Sequence, residues 1–172
     1  MIEAFDNCKD NDIYYTPSNL AYDLIQKIEL KHGDRVLDPY VGRGAFYNNY
    51  PAYVNKEWAE IEKGRNAFDV QTSFDWMISN PPFSKINEVL QHSCRYSEIG
   101  FGYILPAHGL SHKRINQCAL DGFFINQIYS IENPKEWELG FSHFFVVWTK
   151  ERNKNLGLLY NPPGTQLKLG DF

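Results

Sequence analysis

Arg35-Val36-Leu37-Asp38-Pro39-Tyr40-Val41-Gly42-Arg43-Gly44-Ala45-Phe46 is a short apolar run that ends in an acid and passes into a glycine loop. An open α/β sheet builds its ligand crevice in this way, at the carboxyl end of a strand. Gly42 and Gly44 permit a tight turn and close backbone approach. The loop is not a dinucleotide fingerprint, which needs a third glycine where Tyr47 stands, and no Lys-Ser/Thr pair closes it as a phosphate loop would require. Asp38 suits a ligand carrying an ammonium group better than one carrying a pyrophosphate.

A second strand-like run, Phe74-Asp75-Trp76-Met77-Ile78-Ser79, leads into Asn80-Pro81-Pro82-Phe83. Proline has no N–H, fixes its own φ, and drives the preceding residue toward an extended conformation, so Asn80 and Pro81 are both held open. The Asn80 amide oxygen and the Pro81 carbonyl can then accept both hydrogens of one amine and leave its lone pair free to attack, with Phe83 stacked on the ring that carries it. Asn161-Pro162-Pro163-Gly164 repeats three of these residues without the aromatic and without a strand before it, and reads as a turn. Upstream, Tyr14-Tyr15-Thr16-Pro17 opens a helix: Thr16 can cap, Pro17 suits the first helical position, and Leu20, Leu24 and Ile28 recur every four residues until Gly33.

In their chain order, Tyr-Thr-Pro, glycine loop, Asn-Pro-Pro-Phe, the three motifs resemble those of S-adenosylmethionine-dependent amino-methyltransferases, above all the N6-adenine enzymes. Those carry Asp/Asn-Pro-Pro-Tyr/Phe/Trp, an Asp-Pro-Phe-x-Gly-x-Gly cofactor loop and an N-terminal Tyr-Thr-Pro. The resemblance spans roughly residues 14 to 150 and is specific at the three motifs only. It implies a Rossmann-like class I methyltransferase sheet, mostly parallel, with an antiparallel C-terminal strand pair. It implies catalytic roles for Asn80, Pro81, Pro82 and Phe83. Cofactor contacts are implied for Tyr15, Thr16, Pro17, Asp38, Pro39, Tyr40, Gly42 and Gly44, and no metal is implied. RNA adenine enzymes, and protein-glutamine enzymes with Asn-Pro-Pro-Tyr, share the catalytic motif, so adenine in DNA is the first expectation and RNA the second. A non-catalytic methyltransferase-like subunit supporting an active partner is the reading from another class.

Between the last two motifs, Glu57-Trp58-Ala59-Glu60-Ile61 reads as a strand whose Glu60, about twenty residues past the loop, is placed to accept from two ribose hydroxyls. Asn66 and Asp69 compete for the cofactor adenine, with Phe68 as a stacking wall. Only about twenty residues separate Glu60 from Asn80, where a whole βαβ unit takes about thirty or more. The sheet should therefore be shortened between its second and fourth strands, with a helix or a strand lost. Further strands are expected at Gly100–Leu105, Phe124–Tyr129 and Phe144–Trp148. Helices are expected after Ser84, carrying Ile86, Val89, Leu90 and Cys94, and around Ser111 to Leu120. In the loop Glu132–Phe141, Trp137 and Phe141 are candidates to clamp a flipped base.

At 172 residues and 43% hydrophobic content the chain reads as one domain, with a core from about 14 to 150 and a tail beyond. Its start does not read as a secretory leader, and a soluble cytoplasmic protein is expected. Cys8, Cys94 and Cys118 are too scattered for a disulfide framework or a thiolate metal site. His108 and His112 are four apart but lack an evident third ligand. The net charge of −4 is unusual for a protein that grips nucleic acid alone. Local basic groups lie at His112-Lys113-Arg114 and at Lys150, Arg152 and Lys154, and no segment is long enough for a separate recognition region. A partner subunit supplying specificity or positive charge is the expectation that follows.

Overall fold

β1 (Arg35–Asp38) and β3 (Phe74–Ser79) lie side by side and parallel within a six-stranded sheet of order β2-β1-β3-β4-β6-β5. The other strands are β2 (Asn55–Trp58), β4 (Ser97–Pro106), β5 (Phe124–Ile131) and β6 (His143–Thr149). These elements come from a computed structural model that describes residues 14–135, 137 and 142–156. The first four strands are parallel, whereas β6 runs antiparallel to both β4 and β5. The mostly parallel sheet with its antiparallel C-terminal pairing is the one expected from the sequence.

Strands buried on both faces need apolar side chains at consecutive positions, and this accounts for the unbroken runs. On one face Val36, Trp76, Ile78, Ile104, Phe145 and Val147 pack with Ala21, Leu24 and Ile25 of α1 (Ser18–Ile25) and Phe46 of α2 (Ala45–Asn49). On the other, Leu37, Met77, Phe101, Tyr103, Val146 and Trp148 pack with Ile86, Val89 and Leu90 of α3 (Ile86–Tyr96) and Cys118 of α4 (His112–Leu120). Trp148, Tyr103, Phe101 and Phe145 are fully buried, and each contributes roughly 2–3 kcal/mol of hydrophobic stabilisation before entropy is charged against it. Cys94 and Cys118 are free thiols.

The shortening falls where expected. β2 forms one edge of the sheet, and residues 59–73 hold two single 3-10 turns, Ile61–Lys63 and Ala67–Asp69, with neither a helix nor a further strand. Two helix starts differ from expectation. Thr16 does not cap α1; Pro17 occupies the N-cap with φ −60° and ψ 143° and has no side-chain cap. The proline after Thr16 restricts that residue to extended backbone and moves the helix boundary along by one position. Ser84 lies inside a 3-10 turn, Phe83–Lys85, so Lys85 precedes α3. Ser111 does cap α4, its hydroxyl accepting from the Arg114 N–H at 3.5 Å. Among the described residues no helix is long and apolar enough to cross a membrane.

Candidate functional site

The chain leaves β1 toward β2 on one side of the sheet, whereas the next parallel strand, β3, lies on the other, so the crevice opens at the carboxyl ends of β1 and β3. The glycine loop emerges from β1 and Asn80 from β3. Gly42 and Gly44 adopt the left-handed conformation the turn demands, with φ 47° and 86°. The Gly42 N–H donates to Glu60 Oε2 at 2.8 Å, and Lys63 Nζ donates to the Gly42 carbonyl at 2.8 Å. Glu60 thus braces the loop with one oxygen; its other oxygen has no hydrogen bond among the described residues.

Asp38 is 1% exposed and accepts from Ser79 Oγ at 2.6 Å, from Tyr40 N–H at 3.3 Å and from Tyr47 N–H at 3.1 Å. Through the last of these it caps the first turn of α2. In this structure the carboxyl therefore spends three acceptor sites on shaping the loop. Burial pushes its pKa up to about 7, against the pull of the Ser79, Tyr40 and Tyr47 donors and with a smaller push from the Glu60 charge. A carboxyl whose folded pKa is raised stabilises the fold in its protonated form. That contribution is complete below about pH 4 and is lost as pH rises to about 7. Denaturant titrations should show Asp38→Asn losing this slope, a difference of a few kcal/mol between the ends of that window, whereas parallel slopes for the two proteins would contradict it.

Asn80 stands at the mouth of the crevice. Its Nδ2 donates to the Tyr14 carbonyl at 2.8 Å, which fixes the amide and turns Oδ1 away from Tyr14. That Oδ1 is buried and has no hydrogen-bond partner among the described residues. A buried acceptor without a donor costs about 1–3 kcal/mol and marks either strain or a place kept for a ligand. Of the two proline carbonyls, that of Pro82 is taken by the Lys85 N–H at 3.1 Å, and the Pro81 carbonyl has no backbone donor among the described residues. The ring of Phe83 stacks on Tyr14 at 5.7 Å and 20°. His143 lies on Phe83 at 5.3 Å; burial, and then the charge of His108, hold its imidazole below the usual histidine pKa.

The remaining expected residues fall around this centre. Tyr15 is 40% exposed; its ring lies beside Gly42 and under the Arg43 guanidinium at 3.9 Å. Thr16 and Pro17 continue it into α1, and Pro39 and Tyr40 begin the loop. Phe68 meets Tyr40 edge-on at 6.5 Å and His92 at 5.6 Å, forming an aromatic wall beyond the loop. Asn66 Oδ1 accepts from the Phe68 N–H at 3.1 Å and so orients that wall, while Asp69 is exposed. Trp137 is 4% exposed, donates Nε1–H to the Tyr15 carbonyl at 2.9 Å, and packs on Tyr14 and His143, making it the backing of the Tyr14-Tyr15 segment. Phe141 and the Asn161–Gly164 turn lie outside the described residues.

Sequence reasoning missed Tyr14, Ser79, Lys63 and His143. Ser79 carried a signal, being the one polar residue at the end of an apolar strand whose neighbour ends in a buried acid. Tyr14 and Lys63 act on or through backbone carbonyls, which leave no mark on residue type.

No protein-family model and no curated protein matches the chain. Its fold is similar to those of solved methyltransferases. With the M protein of the type I restriction enzyme EcoKI the TM-score is 0.65 at 14% identity, over 81% of this chain and 44% of that one. With the M. jannaschii tRNA m1G37 methyltransferase it is 0.56 at 10%, over 83% and 52%. With a methyltransferase from Pyrococcus furiosus it is 0.54 at 13%, over 81% and 88%. The chain thus spans about half the length of the first two. At these identities the likeness is one of fold, that of a Rossmann-like methyltransferase sheet.

Proposed function

We propose that the chain transfers a methyl group from S-adenosylmethionine to the exocyclic amine of adenine in nucleic acid, with DNA as the first choice of substrate. The observation that carries this reading is the buried, unpartnered Asn80 Oδ1 beside the Pro81 carbonyl and the Phe83 ring. Two acceptors and an aromatic face are what a ring-borne amine needs. Asn80 is neutral, so it accepts without taking the proton in advance. As the methyl's bond to the amine nitrogen forms and its bond to the cofactor sulfur breaks, leaving a neutral thioether, positive charge would grow on the nitrogen, and the two carbonyl dipoles would stabilise it until the surplus proton leaves to solvent.

The donor set fits the cofactor. Gly42 and Gly44 allow close backbone approach, Glu60 keeps an oxygen for ribose hydroxyls, and Phe68 with Asn66 borders the adenine side. Tyr15 to Pro17 and the Asp38-Pro39-Tyr40 turn would close the methionine side. When bound, the cofactor supplies an electrophilic methyl on a sulfonium centre. RNA is the second reading, because a tRNA methyltransferase shares the fold. The net charge of −4 supports a partner that contributes positive charge or selects the sequence.

Calorimetry with S-adenosylmethionine, followed by labelled-methyl transfer over duplex DNA, single-stranded DNA, RNA and protein, tests the proposal. Cofactor binding with transfer to nucleic acid is the expected result. Binding without transfer to any acceptor would favour a non-catalytic subunit, and transfer to protein alone would overturn the nucleic-acid reading.

A further inference from the structure

The two basic groups of the sequence lie at opposite ends of the sheet, and only one borders Asn80. Lys150 pairs with Glu98 at 3.5 Å and its N–H donates to the Ile99 carbonyl, at the amino end of β4. The other group surrounds the catalytic motif. Lys85 follows Phe83 by two residues, and two positions further on Asn87 Oδ1 accepts from Arg114 Nε at 2.7 Å. The Arg114 guanidinium also donates to the carbonyl of His108 at 3.1 Å. Arg114 therefore clamps the start of α3 to the turn after β4, and brings the first turn of α4, with His112 and Lys113, to the rim that holds Asn80 and Phe83.

Two further features make this rim positive. Lys85, His112 and Lys113 are exposed, and neither lysine forms an ion pair among the described residues. α4 has no acid in its first turn, and α3 and α4 both begin at this edge, so the positive ends of both helices face the same way. Against them stands the acid of the α3 first turn, Glu88, which has Tyr40 as an electrostatic neighbour.

The geometry points to the Lys85–Lys113 rim as the surface that holds the phosphodiester backbone of the nucleic-acid substrate beside the base presented to Asn80. This rests on the function proposed above and adds which face of an acidic protein meets the polyanion. A base taken out of its stack leaves its flanking phosphates at the mouth of the pocket, where the rim lies. Two exposed lysines with Arg114 behind them make a small footprint, which predicts weak binding by the isolated chain and a shallow salt dependence.

Fluorescence anisotropy with a labelled DNA oligonucleotide and an RNA of the same sequence, across a salt series, tests the rim separately from catalysis. The parent chain would be compared with Lys85→Glu/Lys113→Glu and with an equal charge reversal at the far end of the sheet, Lys27→Glu/Lys31→Glu. The rim variant should weaken binding of DNA, RNA or both on the order of tenfold at low salt and flatten the slope of log Kd against log salt by about two. Calorimetric affinity for S-adenosylmethionine should stay at the parent value, and the far-end variant should bind nucleic acid as the parent does. Equal losses in both variants, or none in the rim variant, would overturn the assignment, as would a parent chain that binds neither oligonucleotide. If the parent binds through the rim but methylates nothing, the rim stands and the proposed function falls.

Discussion

Asn80→Ala should lower methyl transfer on the order of a thousandfold and leave S-adenosylmethionine affinity close to its parent value, because the side chain's hydrogen bond goes to the Tyr14 carbonyl and not to the glycine loop. What it removes is one of two acceptors that stabilise charge appearing only as the amine reacts, and single electrostatic groups of this kind are worth roughly 3–4 kcal/mol of barrier. Stability should move little, and the signs explain why. The variant loses the hydrogen bond to the Tyr14 carbonyl, worth about 1 kcal/mol, and relieves the unpartnered Oδ1, which costs about as much or more. A melting temperature at or slightly above that of the parent, together with lost turnover, would identify a group kept for function at the expense of stability. Turnover close to the parent rate would remove Asn80 from the reaction.

Gly42→Val should abolish most cofactor binding while the sheet stays folded. At φ 47° a β-branched residue is a backbone outlier, which strains the loop by about 1–2 kcal/mol. A Cβ at this position would sit 3.5 Å from the Tyr15 ring, an ordinary contact, so the valine methyls beyond it must displace Tyr15 or enter the crevice. Either movement disturbs a loop held by Glu60 on one side and Lys63 on the other. Affinity should fall on the order of a hundredfold by calorimetry, and Gly42→Ala, which adds only the Cβ, should fall by about tenfold or less. Equal and small losses in both variants would place the cofactor elsewhere.

How much of this was legible depended on how local the cause was. β1, β3, β4 and β6 could be read because each is an apolar run between turn residues, and their loops carry the motif residues at strand ends. The gap between Glu60 and Asn80 showed as missing length, though only the structure shows that two 3-10 turns alone precede β3 there, with no helix and no further strand. Helix starts at Thr16 and Ser84 were misplaced because a neighbouring proline and a 3-10 turn outweighed side-chain capping. The contacts that orient the site were invisible because they join distant residues through backbone carbonyls: Asn80 to Tyr14 across 66 positions, and Trp137 to Tyr15 across 122. Asp38 was read by its charge as a partner for an ammonium group, whereas its burial is met by three donors from the protein itself.

The central claim is that the acceptors at Asn80 and Pro81 serve an adenine amine. Its most direct test is to incubate the chain with methyl-labelled S-adenosylmethionine and nucleic acid, digest the product to nucleosides, and identify the labelled one. The label should appear in N6-methyladenine, and should vanish from it in Asn80→Ala. Label in a methylated guanine, or in a ring nitrogen of adenine, with Asn80→Ala as active as the parent, would contradict it.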